Sequence, residues 1–315
     1  MRLAHCSDLH LVSHEGAGFL ELANKRWIGR LNLASSRSRH YHVAAFEAMV
    51  ADLNALGIEH VLCTGDVTNI ALRREFEFAR GKFDQLALGP TNVTVVPGNH
   101  DAYVGEGVGH FADLFGPYAA TDAGWAWTAA DRDPADDDSD CTAEGAPRWP
   151  IVRVRDQLAL VGMSTSLQTP WFTAYGRAGA GQLARLARVL ADPRLHGKVR
   201  IIAIHHPPAG ERAKKRIRGL RDHEAFAEVI AAHGADLIVH GHEHRDMTES
   251  LPGPAGPVPV RGVVSGTYFH NQPEKTARYR VFELEAGKLV SDYTRIWDRE
   301  HGTFAPDPGT PLLSA

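Results

Sequence analysis

The fold is decided by the stretch Val93-Thr94-Val95-Val96-Pro97-Gly98-Asn99-His100-Asp101. Its apolar half predicts a buried strand, the Pro-Gly pair ends that strand, and three polar residues follow at once. Four more apolar runs end in the same way. These are Leu3–Cys6 before Asp8-Leu9-His10, Val61–Thr64 before Gly65-Asp66, Ile201–Ile204 before His205-His206, and Leu237–Val239 before Gly241-His242-Glu243-His244. Because the carboxyl ends of parallel strands meet at one edge of a sheet, we expect the five motifs to converge.

Predicted strands and helices alternate along most of the chain. Apolar residues at helical spacing predict helices at about 41–56, 71–87, 180–191 and 223–233. The β-α-β-α-β order of the first hundred residues favours a parallel sheet with helices on its faces. From residue 258 onward only strands are predicted, and we expect them to form a second sheet packed on the first. They lie at Val258–Val264, Arg278–Glu283 and Lys288–Thr294.

The regular pattern is interrupted at three places. We therefore expect a single domain over residues 1–315, with inserted loops at about 13–40, 102–150 and 207–222. Within the second of these loops, residues 131–140 are acidic and poor in apolar side chains, which predicts an exposed loop.

Composition is that of a globular protein with a sizeable core, since 43% of the 315 residues are hydrophobic and 23% are charged. The formal net charge of −4 argues against a nucleic-acid polymer as partner. The amino terminus lacks the apolar stretch of a signal peptide, and no apolar run is long enough to cross a bilayer. We therefore expect a cytoplasmic protein without a membrane partner. Three scattered cysteines without a Cys-x-x-Cys pair do not make a disulfide framework.

Seven side chains with metal-donor atoms stand directly after predicted strands. They are Asp8, His10, Asp66, Asn99, His205, His242 and His244. Residues two apart in an extended segment point the same way, so Asp8 and His10 can face one site. Seven donors exceed the four of a closed zinc site and suit two ions about 3.5–4 Å apart that share one carboxylate. We expect Asp66 to be the shared ligand, because Gly65 leaves room for close approach.

The five motifs resemble those of the calcineurin-like metallophosphoesterase superfamily, and they occur in the order that the superfamily shows. The matching blocks are Asp8-Leu9-His10, Gly65-Asp66-Val67-Thr68-Asn69, Gly98-Asn99-His100-Asp101, Ile204-His205-His206-Pro207-Pro208 and Gly241-His242-Glu243-His244. The last two blocks look most like the bacterial phosphodiesterase branch. The resemblance implies an α/β sandwich of two mixed β-sheets flanked by helices, with a dinuclear metal site at the carboxyl ends of the strands.

The resemblance also implies which residues hold the two ions. One ion would be held by Asp8, His10 and His244, the other by Asn99, His205 and His242, with Asp66 bridging them. His206, next to His205, would line the pocket. The donor set accepts manganese, iron, zinc or cobalt, and its oxygen atoms favour manganese or iron.

Metal-dependent hydrolysis of a small phosphoester follows from the same resemblance. A hydroxide that bridges the ions would attack phosphorus, with Asp66 and Asn99 holding the centre. His100, which resembles a histidine that binds no metal in the family, would protonate or stabilise the leaving oxygen. Related phosphoprotein phosphatases carry an Asp that pairs with this histidine, where the present chain has Asn69. Because a neutral amide cannot raise an imidazole pKa as a carboxylate does, we expect a weaker acid and a preference for diesters.

Basic residues follow Pro207-Pro208 in one segment, and most of them are expected to form a solvated basic face. The basic side chains of the segment are Arg212, Lys214, Lys215, Arg216, Arg218 and Arg221. The alternative is that one or two of them, such as Arg218 or Arg221, reach an anionic substrate and form a lid with Arg37, Arg39 and His40. Asn69 and His206 would lie in the same pocket. Histidines outside the motifs are expected at the surface or at caps, namely His5, His60, His196, His223 and His233.

Other functions remain open on these residues. A phosphomonoesterase, a nucleotidase or a phosphotriesterase would share every metal ligand with a phosphodiesterase. A DNA nuclease would need a basic groove, and the negative net charge argues against one. A non-catalytic scaffold of the same fold would be expected to lose ligands, whereas every motif position is filled here.

Overall fold

Two six-stranded β-sheets form the centre of the fold. The computed structural model describes residues 1–11, 41–127, 148–270 and 272–308. The first sheet contains, in spatial order, β12 (Thr303–Pro306), β11 (Lys288–Asp298), β10 (Arg278–Glu285), β1 (Arg2–Cys6), β2 (His60–Cys63) and β3 (Val93–Val95). The second contains β4 (Ile151–Arg155), β5 (Leu158–Gly162), β6 (Val199–Ala203), β7 (Leu237–His240), β9 (Val258–Gly262) and β8 (Met247–Leu251). Strands β1, β2 and β3 run parallel to one another, as do β5, β6, β7 and β9.

Alternation along the central strands explains how the two sheets pack. Successive side chains of a strand point to opposite faces of its sheet. Leu3 and Leu62 of the first sheet accordingly pack with Ile201 and Val239 of the second, in the apolar layer between the sheets. The residues next to them along each strand face outward and pack with helices.

Helices cover the outer face of each sheet. The first sheet is covered by α1 (Val43–Ala55), α2 (Arg73–Phe83) and α3 (Gly105–Phe115), and the second by α4 (Ala180–Leu190) and α6 (His223–His233); α5 (Gly210–Ala213) is a short helix after β6. The result is the α/β sandwich of two mixed sheets that the motifs implied. Within the described ranges, none of the helices has the length and apolar character needed to cross a membrane.

The prediction that the strands after residue 258 form a sheet of their own is wrong. Strand β9 lies beside β7 in the second sheet, whereas β10 pairs antiparallel with β1 and continues the first sheet. The central residues of β1 are fully buried, so this strand needs a hydrogen-bonded neighbour on both of its edges. Periodicity identifies a strand but carries no information about its partner.

Helix α3 lies in the stretch that was predicted to be an inserted loop at 102–150. Its three glycines lower its helix propensity, so the sequence pattern does not predict a helix here. Tertiary packing holds the helix instead, since the buried rings of Phe111 and Phe115 contact Phe76 of α2. The acidic run 131–140 and the predicted loop 13–40 lie outside the described residues.

The prediction that His5 and His60 lie at the surface or at caps is wrong. Both are fully buried in the first sheet. The Nε2 atom of His5 lies 2.9 Å from the Thr64 hydroxyl, and that of His60 lies 2.9 Å from the Thr94 hydroxyl. Burial lowers the pKa of His60 to about 3, so this imidazole is neutral at physiological pH. Both residues therefore act as hydrogen-bonding parts of the core.

Arg153 of β4 ties the edge of the second sheet to the first. Its side chain is 2% exposed, and its guanidinium donates to five backbone carbonyls at 2.7–3.1 Å. Three of these carbonyls lie in the segment Pro90–Val93 that leads into β3. Burial lowers the pKa of Arg153 to about 10, which still leaves the group charged.

We predict that Arg153→Lys destabilises the protein, because one ammonium cannot reach five carbonyls spread over two segments. The free energy of unfolding should fall by about 3 kcal/mol in urea denaturation followed by circular dichroism. Arg73→Lys, at a side chain that is 50% exposed, is the matched control and should stay within about 0.5 kcal/mol of the parent. A loss below about 1 kcal/mol for Arg153→Lys would contradict this role.

Candidate metal centre

The loops that follow the parallel strands have an unusual backbone. Five of the predicted metal ligands have a positive φ, namely Asp8 (54°), His10 (42°), Asp66 (53°), His242 (70°) and His244 (50°). Non-glycine residues rarely adopt this left-handed conformation, which costs about 1–2 kcal/mol at each position. Such a cluster is typical of a functional site, where the surrounding structure holds strained residues in place.

Glycines allow the carboxylates to pack directly against the backbone of neighbouring loops. A Cβ atom on Gly98 would lie 2.1 Å from Oδ1 of Asp66, and one on Gly241 would lie 2.5 Å from Oδ2 of Asp8. Gly65 itself has a φ of 95°, and a Cβ there would lie 2.4 Å from the backbone nitrogen of Gly98. As expected from the sequence, Gly65 is the residue that lets two loops meet beside Asp66.

One group of donor atoms comes from Asn99, His205 and His242. The Oδ1 atom of Asn99 lies 2.8 Å from Nδ1 of His242 and 3.1 Å from Nε2 of His205, and these two nitrogens are 3.3 Å apart. Neighbouring ligands of an ion with bonds of about 2.1 Å lie about 3 Å apart. The spacing of the three atoms is therefore that of ligands on one ion.

A second group comes from Asp8, His10 and His244. The Nε2 atom of His244 lies 3.1 Å from Oδ1 of Asp8 and 3.4 Å from Nε2 of His10. The other oxygen of Asp8 accepts the backbone N–H of His242 at 2.9 Å, so this carboxylate also holds the loop that carries the other group. Oδ1 of Asp8 is buried and makes no hydrogen bond apart from this contact with His244.

Asp66 lies between the two groups. Its Oδ1 atom accepts the backbone N–H of His100 at 2.7 Å. Its Oδ2 atom lies 3.5 Å from Nε2 of His205, in the first group, and 3.9 Å from Nε2 of His10, in the second. A single oxygen atom thus faces both groups, which is the placement that a bridging ligand requires.

Hydrogen bonds on the far side of two imidazoles direct their lone pairs into the site. Nδ1 of His205 lies 2.6 Å from the carbonyl oxygen of Thr64, and Nδ1 of His10 lies 3.1 Å from that of Thr68. Since a carbonyl only accepts, each Nδ1 carries the proton and each Nε2 keeps its lone pair. The lone pair of His205 faces Oδ1 of Asn99 and Oδ2 of Asp66, and that of His10 faces Oδ2 of Asp66. Neither nitrogen has a proton to donate to these oxygens, so the lone pairs repel one another. A cation between them removes this repulsion, and the donor set therefore fits a metal.

The protonation states also suit metal binding, which needs neutral imidazoles and ionised carboxylates. Burial lowers the pKa of His205, and burial followed by the charges of neighbouring histidines lowers that of His242. Burial opposes ionisation of Asp8, but the adjacent His244, with His205 and His10, holds the pKa of this carboxyl well below its usual range.

His206 lies beside the first group but already has partners for both ring nitrogens. Its ring comes close to those of His205 and His242, and the three could be counted as one cluster. However, its Nδ1 lies 2.8 Å from the Thr165 hydroxyl and its Nε2 lies 3.2 Å from the carbonyl oxygen of Ala174. The geometry therefore favours His205 as the ligand and His206 as its packing partner.

The sequence comparison with phosphoprotein phosphatases suggested that the side chain of Asn69 contacts His100. This prediction is wrong. Nδ1 of His100 instead lies 2.6 Å from the backbone carbonyl oxygen of Asn69. The Asn69 amide donates to the carbonyl oxygen of His10 at 3.0 Å. The expected neutral partner of His100 is present, but it is a backbone group. His100 also stacks on Tyr103, with ring centroids 5.7 Å apart.

The two arginines proposed for substrate binding differ in their surroundings. Arg218 is exposed, and its charge contributes to the lowered pKa of His206 and of His242, after burial and neighbouring histidines. Arg221 lies over the ring of Tyr175, 4.2 Å from its centroid. Arg218 is thus the one whose field reaches the metal centre. Arg37, Arg39 and His40 of the proposed lid lie outside the described residues.

Two further residues near the centre were not assigned a role from the sequence. The buried carboxylate of Asp101 accepts the backbone N–H groups of Gly98, Thr68 and Val67, and the Thr68 hydroxyl, at 2.9–3.3 Å. It joins the loops after β2 and β3, and burial raises its pKa to about 6. The position of Asp101 in the Gly-Asn-His-Asp motif was the feature of the sequence that could have indicated this role.

The ring of Tyr41 lies 4.7 Å from that of His10, and nothing in the sequence indicated this contact.

Comparison with known proteins agrees with this architecture. The family model described as calcineurin-like phosphoesterase matches residues 1–246. A sequence comparison with curated proteins gives no match.

Among solved structures, a dimetal phosphatase from Danio rerio is similar, with a TM-score of 0.56 at 13% identity over 93% of this chain and 94% of that one. A purple acid phosphatase from yellow lupin (Lupinus luteus) seeds has a TM-score of 0.55 at 13% identity over 97% of this chain, which spans 52% of the lupin chain. At such identity these likenesses concern the fold. The match of the family model over residues 1–246 places the chain in the calcineurin-like phosphoesterase family.

Proposed function

We propose that this protein hydrolyses phosphodiesters at a centre of two divalent cations held by the seven converging side chains. The observation that carries the proposal is the shared oxygen of Asp66, which faces one donor group at 3.5 Å and the other at 3.9 Å. When bound, two cations at such a centre activate a water molecule and offset negative charge on the phosphoryl oxygens. Manganese or iron suits the mixture of oxygen and imidazole donors.

The residues of the chain prepare this centre for in-line attack on phosphorus. Asp66 and Asn99 provide oxygen atoms to the donor groups. Asp8 orients the loop that carries His242 by accepting the backbone N–H of that residue. His100 is partly exposed beside Asp66, and its Nδ1 is engaged by the Asn69 carbonyl. Because Nδ1 keeps its proton on this carbonyl, Nε2 has a proton to give only when the ring is an imidazolium, and we assign proton donation to the leaving oxygen to Nε2 in that form.

The proposed preference for diesters is based on the hydrogen bond from Nδ1 of His100 to the carbonyl oxygen of Asn69. A neutral carbonyl does not raise the pKa of an imidazole as a carboxylate would. A weaker general acid suits diesters or substrates with a stable leaving group. The second candidate is a phosphomonoesterase. Both fold neighbours above are called phosphatases, but at 13% identity their names carry no weight for the activity of this chain.

We predict that the two adjacent histidines differ in metal binding. Calorimetric titration of metal-free protein with Mn²⁺ should give two bound ions for the parent and one for His205→Ala. His206→Ala should keep two ions, weakened by no more than about 10–100-fold, because it removes only packing behind the ligands. His196→Ala, at an exposed position outside the site, is the control and should match the parent. One ion for His206→Ala with two for His205→Ala would reverse the assignment.

We also predict faster hydrolysis of a diester than of a monoester. With Mn²⁺-loaded protein, kcat/KM for bis-p-nitrophenyl phosphate should exceed that for p-nitrophenyl phosphate by about tenfold or more, which is the direction that the proposed preference for diesters requires. A higher value for the monoester would favour the phosphomonoesterase. Full metal content without turnover of either substrate would favour a non-catalytic scaffold.

A further inference from the structure

Two loops beside the metal centre form one continuous surface, which we call the rim surface and define as residues 169–176 and 214–221. The backbone N–H of Ala174 donates to the carbonyl oxygen of Ile217 at 2.8 Å, and further backbone bonds join the same loops. The two segments therefore present their side chains as a unit.

Large apolar side chains project from this surface. Among the described residues, the large hydrophobic side chains that are exposed are Trp171 (57%), Phe172 (80%) and Ile217 (54%), and all three belong to the rim surface. Phe172 has a φ of 64°, an unfavourable conformation for a residue with a bulky side chain. The Thr169 hydroxyl donates to the carbonyl oxygen of Thr173 at 2.7 Å and closes the turn that holds it. Exposure of this kind concentrated at one place marks an interaction surface.

The same surface is strongly basic. Residues 214–221 contain five cationic side chains, namely Lys214, Lys215, Arg216, Arg218 and Arg221, and no acidic residue. Lys214 is paired at 2.8 Å with Glu211, just before the segment, which leaves four cations without this pairing. All five are exposed. The chain as a whole has a formal net charge of −4, so the basic character is local. Its partner is therefore expected to carry negative charge next to apolar material.

The rim surface directly adjoins the metal centre. The carbonyl oxygen of Ala174 lies 3.2 Å from Nε2 of His206. Gly176 packs against the same imidazole, since a Cβ atom there would lie 2.3 Å from its Nδ1. Whatever binds to the rim surface is thus held at the edge of the centre.

We propose that the rim surface binds to the surface of an anionic phospholipid bilayer. Aromatic and aliphatic side chains next to lysines and arginines are the combination that lies in a membrane interface, with the apolar groups at the acyl boundary and the cations on the headgroup phosphates. The metal centre then lies at the depth of the headgroups. That these headgroup diesters are substrates rests on the proposed function, whereas binding to the bilayer does not.

This inference replaces the expectation, drawn from the sequence, of no membrane partner. That expectation relied on the lack of a long apolar run, which is a test for spanning segments only. A surface assembled from two short loops, 169–176 and 214–221, gives no such run.

Vesicle co-sedimentation tests the proposal. The protein should bind vesicles of phosphatidylcholine mixed with phosphatidylglycerol, more weakly at high salt, and should bind pure phosphatidylcholine vesicles less. Trp171→Ser with Phe172→Ser should reduce the partition coefficient about tenfold or more, as should Lys215→Glu with Arg216→Glu. Lys275→Glu with Lys288→Glu, at exposed positions outside the rim surface, is the matched control and should change binding by less than about twofold.

Turnover of bis-p-nitrophenyl phosphate, a water-soluble substrate, should be the same in all variants, which shows that they are folded. Failure of the proposed function would abolish this turnover in the parent while vesicle binding persisted. No vesicle binding by the parent, or equal binding by the Trp171→Ser, Phe172→Ser variant, would overturn the proposal. So would equal binding to both kinds of vesicle. A dimer in light scattering that the same variant dissociates would assign the surface to a second copy of the chain instead.

Discussion

The convergence of buried lone pairs on one point is the constraint on which the rest of the structure depends. The Nε2 atom of His205 lies 3.5 Å from the Oδ2 atom of Asp66 and 3.1 Å from the Oδ1 atom of Asn99. The bond from Nδ1 of His205 to Thr64 removes the proton that could have relieved their repulsion. In a buried environment such an arrangement is costly unless a cation occupies it. The loops of this edge hold these atoms in that arrangement.

The fold supplies the rigidity that this arrangement needs. Left-handed residues at five ligand positions would relax if their loops were free. Hydrogen bonds between loops prevent this: Asp101 joins the loops after β2 and β3, and Asp8 joins the loops after β1 and β7. The same parallel strands that align the loops are buried on both faces, so the centre is anchored in the most stable part of the molecule.

Sequence analysis could predict that the seven donor side chains meet at one edge because parallel strands leave little freedom at their carboxyl ends. All seven donor side chains, from Asp8 to His244, lie where the order of strands and motifs placed them. The sequence pattern does not indicate which strands pair with each other. The prediction therefore assigned β10 to the wrong sheet. The orientation of Asn69 could not be predicted from the sequence either. Its side chain and its backbone carbonyl can both face His100, and the conformation of the folded loop determines which one does. The rim surface joins residues that are distant in sequence, and no local pattern reveals it.

Anomalous diffraction from crystals grown with Mn²⁺ is the most direct test of the central claim. The account predicts two peaks about 3.5–4 Å apart. One should lie among Asp8, His10 and His244 and the other among Asn99, His205 and His242, with the Oδ2 atom of Asp66 between them. A single peak, or peaks away from these side chains, would contradict it.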